Sequence, residues 1–233
     1  MIPKKIHFIW VGGKEKPKDI LKCMKTWKKH LKDYEIKEWS ESNFDINSHP
    51  FTKAAYAAKK WAYVSDYIRA YAIYNEGGIY LDTDVLILDN FDDFLNNRAF
   101  VGFERPDFPF TAAFGAEKGH PLVKEMLDYY DNLDSYSFDF KSNNTISVSD
   151  ILVEKYNCKK NNKFQILKED IAVYPDNILC NPSSKSVSIH VFNGSWLDDK
   201  KPLKRKINKV LKLNLTTQKK AGLYRKYVQK IKD

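Results

Sequence analysis

Two aspartates, Asp82 and Asp84, interrupt the otherwise β-branched and aliphatic segment Ile79 to Leu88. On a strand, side chains two positions apart project from the same face. Two like charges held side by side among apolar residues repel each other and are costly to desolvate unless a cation joins them. Carboxylate oxygens suit Mg²⁺ or Mn²⁺. The pair therefore predicts a divalent metal site, although two aspartates so spaced also occur in ordinary turns at strand ends.

The apolar and aromatic segment before this strand contains a second polar group, Ser65, Asp66 and Arg69. Asp66 and Arg69 are three positions apart and share a helix face, so they can form a salt bridge or converge on one ligand. Burying such a pair rarely adds stability, which favours a functional role. An Asp that accepts bonds from hydroxyl groups and an Arg that donates to hydroxyl or phosphate suit a polyol phosphate ligand.

Three further sites have side chains suited to the same chemistry. His190, at the end of the alternating segment Ser188 to Phe192, can supply an imidazole to the metal, although a lone histidine on a strand is more often a core residue. The turn at Gly194 can present Ser195 and Trp196 to a diphosphate. Trp10, beside Gly12 and Gly13, can stack on a nucleotide base or belong to the core.

A different enzyme class also matches the aspartate pair. Asp-Thr-Asp-Val after an apolar strand is typical of haloacid-dehalogenase-like phosphatases, in which the first Asp is the nucleophile and the second the acid/base. That mechanism expects a further acidic pair at the end of a later apolar strand. Asp198 and Asp199 lie in a polar segment and fit this requirement poorly. A Mg²⁺-dependent phosphatase using Asp82 and Asp84 remains the competing hypothesis.

Periodicity and turn residues predict alternating strands and helices. The predicted strands are Lys5–Val11, Tyr34–Trp39, Ile79–Leu88, Ala99–Phe103, Ala112–Ala116 and Ser186–Phe192, and the predicted helices are Asp19–Leu31, Thr52–Glu76 and Pro121–Tyr130. The helix that ends at Glu76 is followed by Gly77 and Gly78, which tolerate positive φ. This alternation favours an α/β fold with a mostly parallel central sheet.

Composition and charge limit the possible domain organisation, cell compartment and binding partners. A chain of 233 residues with 43% hydrophobic content fits one main domain. Three cysteines without CxxC spacing favour a reduced compartment, and the short apolar N-terminal segment predicts no signal peptide, so we expect a cytoplasmic protein. The net charge is +9, and residues 197–233 alone carry 11 Lys, 2 Arg and 3 Asp. The body is therefore nearly neutral, which argues against nucleic-acid binding by the body.

The basic tail, residues 198–233, has apolar residues at helical spacing, among them Leu203, Ile207, Val210 and Leu211. A basic amphipathic helix suits an anionic membrane surface, on the inner face of the cell membrane for a cytoplasmic protein. A solvated helix packed on the body explains the pattern equally well. A non-enzymatic protein that binds acidic polymers through this tail is a third hypothesis, but it leaves the Asp66, Arg69, Asp82 and Asp84 pattern unexplained.

Four motifs in order resemble glycosyltransferase family 32. They are Ile2-Pro3-Lys4-Lys5-Ile6-His7-Phe8-Ile9-Trp10, Ser65-Asp66-x-x-Arg69, Gly77-Gly78-Ile79-Tyr80-Leu81-Asp82-Thr83-Asp84, and His190 with Ser195-Trp196. These Asp-x-Asp sugar transferases of polysaccharide and capsule synthesis are related to fungal initiating mannosyltransferases and to glucosylating bacterial toxins. The resemblance spans about residues 1–197 and departs from the family pattern near Thr111 and at Thr145 to Ser147.

The resemblance implies a GT-A-type Rossmann-like fold in residues 1–197 and transfer, with retained configuration, from a UDP- or GDP-sugar to a glycan or lipid-linked glycan. It implies that Asp82, Asp84 and His190 hold Mn²⁺ or Mg²⁺. Asp66 and Arg69 would hold the donor sugar, Asp82 would also contact the ribose or sugar, and Tyr80 would line the site. The remaining implied donor contacts are Trp10 on the base and Ser195 and Trp196 on the diphosphate.

Overall fold

A computed structural model of the protein describes residues 1–138, 143–192 and 202–232. The strands within these ranges are β1 (Lys5–Ile9), β2 (Glu35–Trp39), β3 (Gly78–Leu81), β4 (Val85–Ile87), β5 (Ala99–Gly102), β6 (Ala113–Ala116), β7 (Gln165–Leu167), β8 (Ile171–Tyr174) and β9 (Ser188–His190). The α-helices are α1 (Lys18–His30), α2 (Pro50–Ala57), α3 (Trp61–Glu76), α4 (Pro121–Asp131), α5 (Asn144–Glu154), α6 (Asp176–Leu179), α7 (Pro202–Lys212) and α8 (Gln218–Lys232). None of the helices in the described part of the chain is long and apolar enough to cross a membrane.

The central sheet has seven strands in the order β2-β1-β3-β6-β5-β8-β7, and β4 and β9 form a separate antiparallel pair. Strands β1, β2 and β3 are parallel, as are β5 and β8, whereas β6 and β7 run antiparallel to their neighbours. Five of the seven strands therefore point the same way, which confirms the predicted α/β fold with a mostly parallel sheet. The order β2-β1-β3 places a topological switch point between β1 and β3, where open α/β sheets bind ligands at the carboxyl ends of their strands.

Each face of the sheet is covered by its own apolar core. One core packs α2, α3, α4 and α5 against residues such as Tyr80 and Phe114. The other packs α1 and β4 against Ile79 and Leu81, which flank Tyr80 on β3 and face the opposite side of the sheet. Trp27 of α1 is fully buried there and donates a hydrogen bond of 2.7 Å to the Val85 carbonyl. The chain that carries the two aspartates is therefore held between both cores.

The single helix predicted from Thr52 to Glu76 is wrong, because the chain breaks between α2 and α3. Lys59 adopts a left-handed conformation with φ of 55°. The break lets Trp61, the first residue of α3, pack so closely on Gly12 that a β-carbon there would lie 2.7 Å from the indole ring. Alanine and tyrosine residues continue across the break, so the apolar pattern alone does not reveal it.

The single strand predicted from Ile79 to Leu88 is also wrong. β3 belongs to the central sheet and β4 to the two-stranded sheet, and residues Asp82 to Asp84 form the turn between them. The Val85 amide donates to the Asp82 carbonyl at 3.1 Å and closes this turn. The two aspartates thus lie at a corner of the chain and not along one strand.

The sequence patterns do not predict four of these elements: α5, α6, β7 and β8. β8 is buried in the sheet beside β5, with which it pairs from Ala99↔Ile171 to Gly102↔Tyr174. It is four residues long and β7 has three, which is too short for a clear alternating pattern.

The Gly77-Gly78 step controls how β3 leaves α3. Gly77, with φ of 66°, caps the helix, and its amide donates to the Ile73 carbonyl at 2.8 Å. Trp39 donates to Nδ1 of buried His7 at 2.9 Å, so His7 donates from Nε2 to the Gly77 carbonyl at 2.8 Å. At Gly78, φ is 112° and a β-carbon would lie 2.6 Å from the Lys5 carbonyl oxygen.

We expect Gly78→Ala to lower the free energy of unfolding by about 2 kcal/mol or more, because the methyl group adds a backbone clash to the cost of positive φ. The matched control is Gly119→Ala, where φ is 74° but a β-carbon meets nothing within 4 Å. That variant should lose only about 1 kcal/mol. Urea unfolding of both variants measures the difference, and equal losses would show that the contact with Lys5 does not matter.

Candidate functional site

The candidate site is built on the turn that follows β3. The Asp82 amide donates to the Ala112 carbonyl at 2.9 Å, which ties the start of the turn to the chain before β6. At the other end of the turn, the Val191 amide donates to the Asp84 carbonyl at 3.0 Å. The backbone is therefore held on both sides of Thr83, and the turn stands at the carboxyl end of a central parallel strand.

Pairing of β4 with β9 brings His190 to the aspartates. Val85 lies opposite His190 in the antiparallel register, so the residue before Val85 lies beside the imidazole. Nε2 of His190 is 3.3 Å from an Asp84 carboxylate oxygen. One ligand atom from each of Asp82, Asp84 and His190 lies within 4.8 Å of the other two. Their side chains are 26%, 13% and 14% exposed, so the group is open to a ligand but largely sheltered from bulk water.

The donor atoms of this group fit a divalent cation. Two carboxylates and one imidazole can all bind a single ion at the observed separations, and carboxylates suit Mg²⁺ and Mn²⁺. Burial opposes a charged imidazole, but the nearby Asp84 carboxylate outweighs it and raises the pKa of His190 well above its usual value. Without a metal, a proton on His190 therefore offsets the charge of Asp84.

Asp66 and Arg69 of α3 are joined to the same turn. Arg69 lies 2.9 Å from Asp66 and 3.2 Å from Oδ1 of Asp82, and both α3 side chains are buried. The Tyr80 hydroxyl donates to the same Asp82 oxygen at 2.7 Å. The Arg69 guanidinium lies 4.4 Å from the centre of the Tyr80 ring. Asp66 and Arg69 therefore form a salt bridge, and Arg69 also supports the turn that carries Asp82.

Burial and the neighbouring charges shift the pKa values of both Asp66 and Arg69. Burial raises the pKa of Asp66 to about 6, against the opposing effect of Arg69, and the Asp82 charge adds to the rise. Burial opposes the charge on Arg69, but the nearby Asp82, Tyr80 and Asp66 outweigh it and raise the pKa of Arg69 above its usual value. Arg69 therefore stays cationic between the carboxyl groups of Asp66 and Asp82.

The other predicted residues lie as follows. Tyr80 is 2% exposed, so its polar contribution is the hydroxyl group that supports Asp82. Trp10 is half-buried at the carboxyl end of β1, where its indole donates to the Lys14 carbonyl at 2.6 Å and lies under the Lys16 ammonium. Ser195 and Trp196 lie outside the described residues, as does the predicted boundary at 197/198.

Sequence reasoning gave no role to Asn144, although its backbone opposes the rise in the pKa of Asp66. Asn144 is 3% exposed, and its side-chain amide donates to the Tyr130 hydroxyl at 3.2 Å. Its Oδ1 has no hydrogen-bond partner among the described residues. The sequence feature that could have located Asn144 is the helix N-cap beside it: Asn143 caps α5, and its side chain accepts a hydrogen bond from the Ile146 amide.

The chain is an α/β protein with a candidate metal site. The site is a DXD turn beside an aspartate–arginine pair, at the switch point of a mostly parallel sheet. A family model described as "glycosyltransferase sugar-binding region containing DXD motif" matches residues 17–101, which include Asp66, Arg69, Asp82 and Asp84. Residues 17–101 are therefore similar to the DXD-motif glycosyltransferases, which confirms the resemblance drawn from the motifs.

Individual relatives agree with the family match. Inositol phosphoceramide mannosyltransferase 3 of Schizosaccharomyces pombe is 29% identical over 143 residues, which are 60% of this chain and 39% of that protein. This chain thus spans well under half the length of that relative. The structure of the PaToxG glycosyltransferase superposes with a TM-score of 0.51 at 20% identity, covering 66% of this chain and 69% of the other. That likeness supports the GT-A-type fold.

We expect Asp84→Asn to weaken Mn²⁺ binding at least about 10-fold, because even the outer partners of metal ligands typically contribute 10- to 100-fold. The matched control is Asp93→Asn, which removes an exposed carboxylate of the body. Titration of free Mn²⁺ followed by electron paramagnetic resonance measures both affinities. Equal affinity in the two variants would remove Asp84 from the metal site.

Proposed function

We propose that this protein is a metal-dependent glycosyltransferase that moves a sugar from a nucleotide-diphosphate donor to a glycan or lipid-linked glycan acceptor, with retained configuration. The observation that carries the proposal is the convergence of Asp82, Asp84 and His190 on one point beside the Asp66–Arg69 pair. A phosphatase has less support, because the family model that matches residues 17–101, and so includes both aspartates, describes a DXD glycosyltransferase.

In this proposal Asp82, Asp84 and His190 would hold Mn²⁺ or Mg²⁺, and the ion would supply positive charge to offset the charge that develops on the leaving diphosphate. Both recorded contacts of Asp82 use Oδ1, which leaves Oδ2 for the cation or for a ribose or sugar hydroxyl. The contact with Arg69 keeps the Asp82 carboxylate oriented. The acceptor attacks from the face of the leaving group, and a phosphate oxygen takes its proton, so the enzyme needs no nucleophile of its own.

Asp66, Arg69 and Asn144 supply polar groups for the donor sugar. Asp66 accepts hydrogen bonds and Arg69 donates them, and the Oδ1 atom of Asn144 can accept one from a hydroxyl group. On the β1 side, a cleft of about 740 Å³ is lined by residues that include Gly12, Tyr56 and Trp61. Lys14 also lines it, and the Lys14 carbonyl accepts the hydrogen bond from the Trp10 indole. We assign the nucleotide base to this aromatic region and the diphosphate to the metal and to Ser195 and Trp196.

Its acceptor is proposed to be a glycan carried on a lipid, in polysaccharide or capsule synthesis on the cytoplasmic face of the membrane. One relative is named for transfer to inositol phosphoceramide, which is a lipid. The tail supports a membrane contact: residues 202–232 contain 11 Lys and Arg and no Asp or Glu. Leu203, Ile207, Val210, Leu223 and Tyr227 are each more than half exposed. Exposed apolar side chains on basic helices suit an anionic lipid surface.

Thermal stabilisation by donor and metal tests the proposed function most simply. We expect a UDP- or GDP-sugar with Mn²⁺ to raise the melting temperature by several degrees. A ligand at 100 times its Kd stabilises the folded state by about 2.7 kcal/mol. The donor alone, or the donor with excess EDTA, should give a much smaller shift. Stabilisation by no nucleotide sugar, together with Mg²⁺-dependent hydrolysis of an aryl phosphate ester, would favour the phosphatase.

Sedimentation with liposomes tests the membrane contact. We expect the full chain to bind vesicles of anionic lipid and not vesicles of phosphatidylcholine, and the double variant Leu223→Ser, Tyr227→Ser to bind the anionic vesicles at least about 10-fold more weakly. Leu21→Ser is the matched control, because Leu21 is also exposed but lies on α1. Undiminished binding by the double variant would exclude this face of α8.

A further inference from the structure

We infer that Lys212, the last residue of α7, is a positioning residue for His190, so that the C-terminal tail is a working part of the candidate metal centre. The inference rests on the proposed function, since it presupposes a cation at Asp82, Asp84 and His190. It deepens that function by giving a structural task to a tail that lies outside the motif-bearing body. The tail residues that carry it are those of α7, α8 and the turn between them.

Lys212 contacts the end of β9 in two ways. Its ammonium donates a hydrogen bond of 2.8 Å to the backbone carbonyl of His190. The same ammonium lies 4.3 Å from the centre of the Phe192 ring, a cation–π distance. One tail side chain therefore holds both the metal-ligand residue and the residue two positions beyond it.

The step from His190 to Phe192 needs such support. Phe192 has a φ of 62°, in the left-handed region that residues with a β-carbon adopt only when their surroundings impose it. This conformation places the Phe192 ring over the imidazole, with ring centres 3.9 Å apart and planes inclined by 33°. The ring restricts how His190 can turn, and Lys212 holds the ring and the backbone together.

The tail as a whole is packed against the strands that flank the metal turn. Leu213, Leu215 and Ala221 are buried in a cluster that also contains Leu86, Leu88, Ile189 and Val191. Leu86 belongs to β4 and Ile189 to β9. A two-stranded ribbon is only marginally stable alone, so the β4–β9 pair depends on what covers it. The tail supplies part of that cover on the strands that bring His190 beside Asp84.

A second tail lysine provides the matched comparison. Lys209, one turn earlier in α7, forms an ion pair with Asp19 of α1. This contact fastens the tail to the body without contacting β9. Loss of Lys209 therefore reports on tail docking in general, whereas loss of Lys212 also removes the support of His190.

The experiment compares Lys212→Met, Lys209→Met and Lys212→Arg in the full chain. Methionine keeps much of the aliphatic length but removes the charge and the donor. We expect Lys212→Met to weaken Mn²⁺ binding about 10- to 100-fold, as for other supports of metal ligands, and Lys212→Arg to restore most of it. Lys209→Met should change Mn²⁺ affinity less than about 3-fold. Its loss of unfolding free energy in urea should be similar to that of Lys212→Met.

A spectroscopic signature separates positioning from general stabilisation. At saturating Mn²⁺, electron spin echo modulation from an imidazole nitrogen should be present in the natural protein and reduced in Lys212→Met, as in His190→Gln. Unchanged modulation and unchanged affinity in Lys212→Met would overturn the inference and leave the metal site intact. Equal losses in Lys209→Met would also overturn it, whereas a natural protein that binds no Mn²⁺ would contradict the proposed function itself.

Discussion

The site depends on one electrostatic constraint: two carboxylates stand close together at a partly sheltered corner of the chain. Each has a cationic neighbour of a different kind. Arg69 lies 3.2 Å from Asp82, and its guanidinium group keeps its charge. His190 lies 3.3 Å from Asp84 and can release its proton. A divalent ion can therefore replace the proton on the His190 side while Arg69 continues to hold Asp82, and the rest of the fold serves to keep these groups in register.

Three separate parts of the chain meet at this corner, and each is fixed by a different interaction. α3 supplies Asp66 and Arg69, and it is aimed by the break at Lys59 and by the cap at Gly77. β3 brings Asp82 to the carboxyl end of a buried parallel strand. β9, through its pairing with β4, brings His190, and the tail packs on both of those strands. The catalytic proposal and the positioning proposal for Lys212 thus rest on the same β4–β9 ribbon.

The sequence predicts the fold class and the grouping of the site residues better than it predicts the local geometry. Asp66, Arg69, Asp82, Asp84 and His190 were expected together, and the structure brings them together. The strand that was expected to carry both aspartates is instead a strand, a turn and a second strand in another sheet. The flanking residues are buried and mostly apolar on both sides of Asp82 to Asp84, so the sequence pattern carries no sign of the corner.

Contacts between distant segments were the least predictable part. The bond from Lys212 to the His190 carbonyl joins residues 22 positions apart across a stretch rich in charge, where periodicity indicates only an amphipathic helix. The role of His7 is similar, because its bonds to Trp39 and Gly77 depend on the parallel pairing of β1 with β2 and β3. Such residues are identified by three-dimensional contacts, and their residue types alone carry little signal.

The central claim is that a divalent ion held by Asp82, Asp84 and His190 joins the protein to the diphosphate of a sugar donor. The most direct measurement is the anomalous difference density of a crystal grown with Mn²⁺ and a nucleoside diphosphate or nucleotide sugar. The account predicts a manganese peak within bonding distance of all three side chains and of the diphosphate oxygens. Density for the nucleotide elsewhere, or a bound diphosphate with no metal at these three residues, would contradict it.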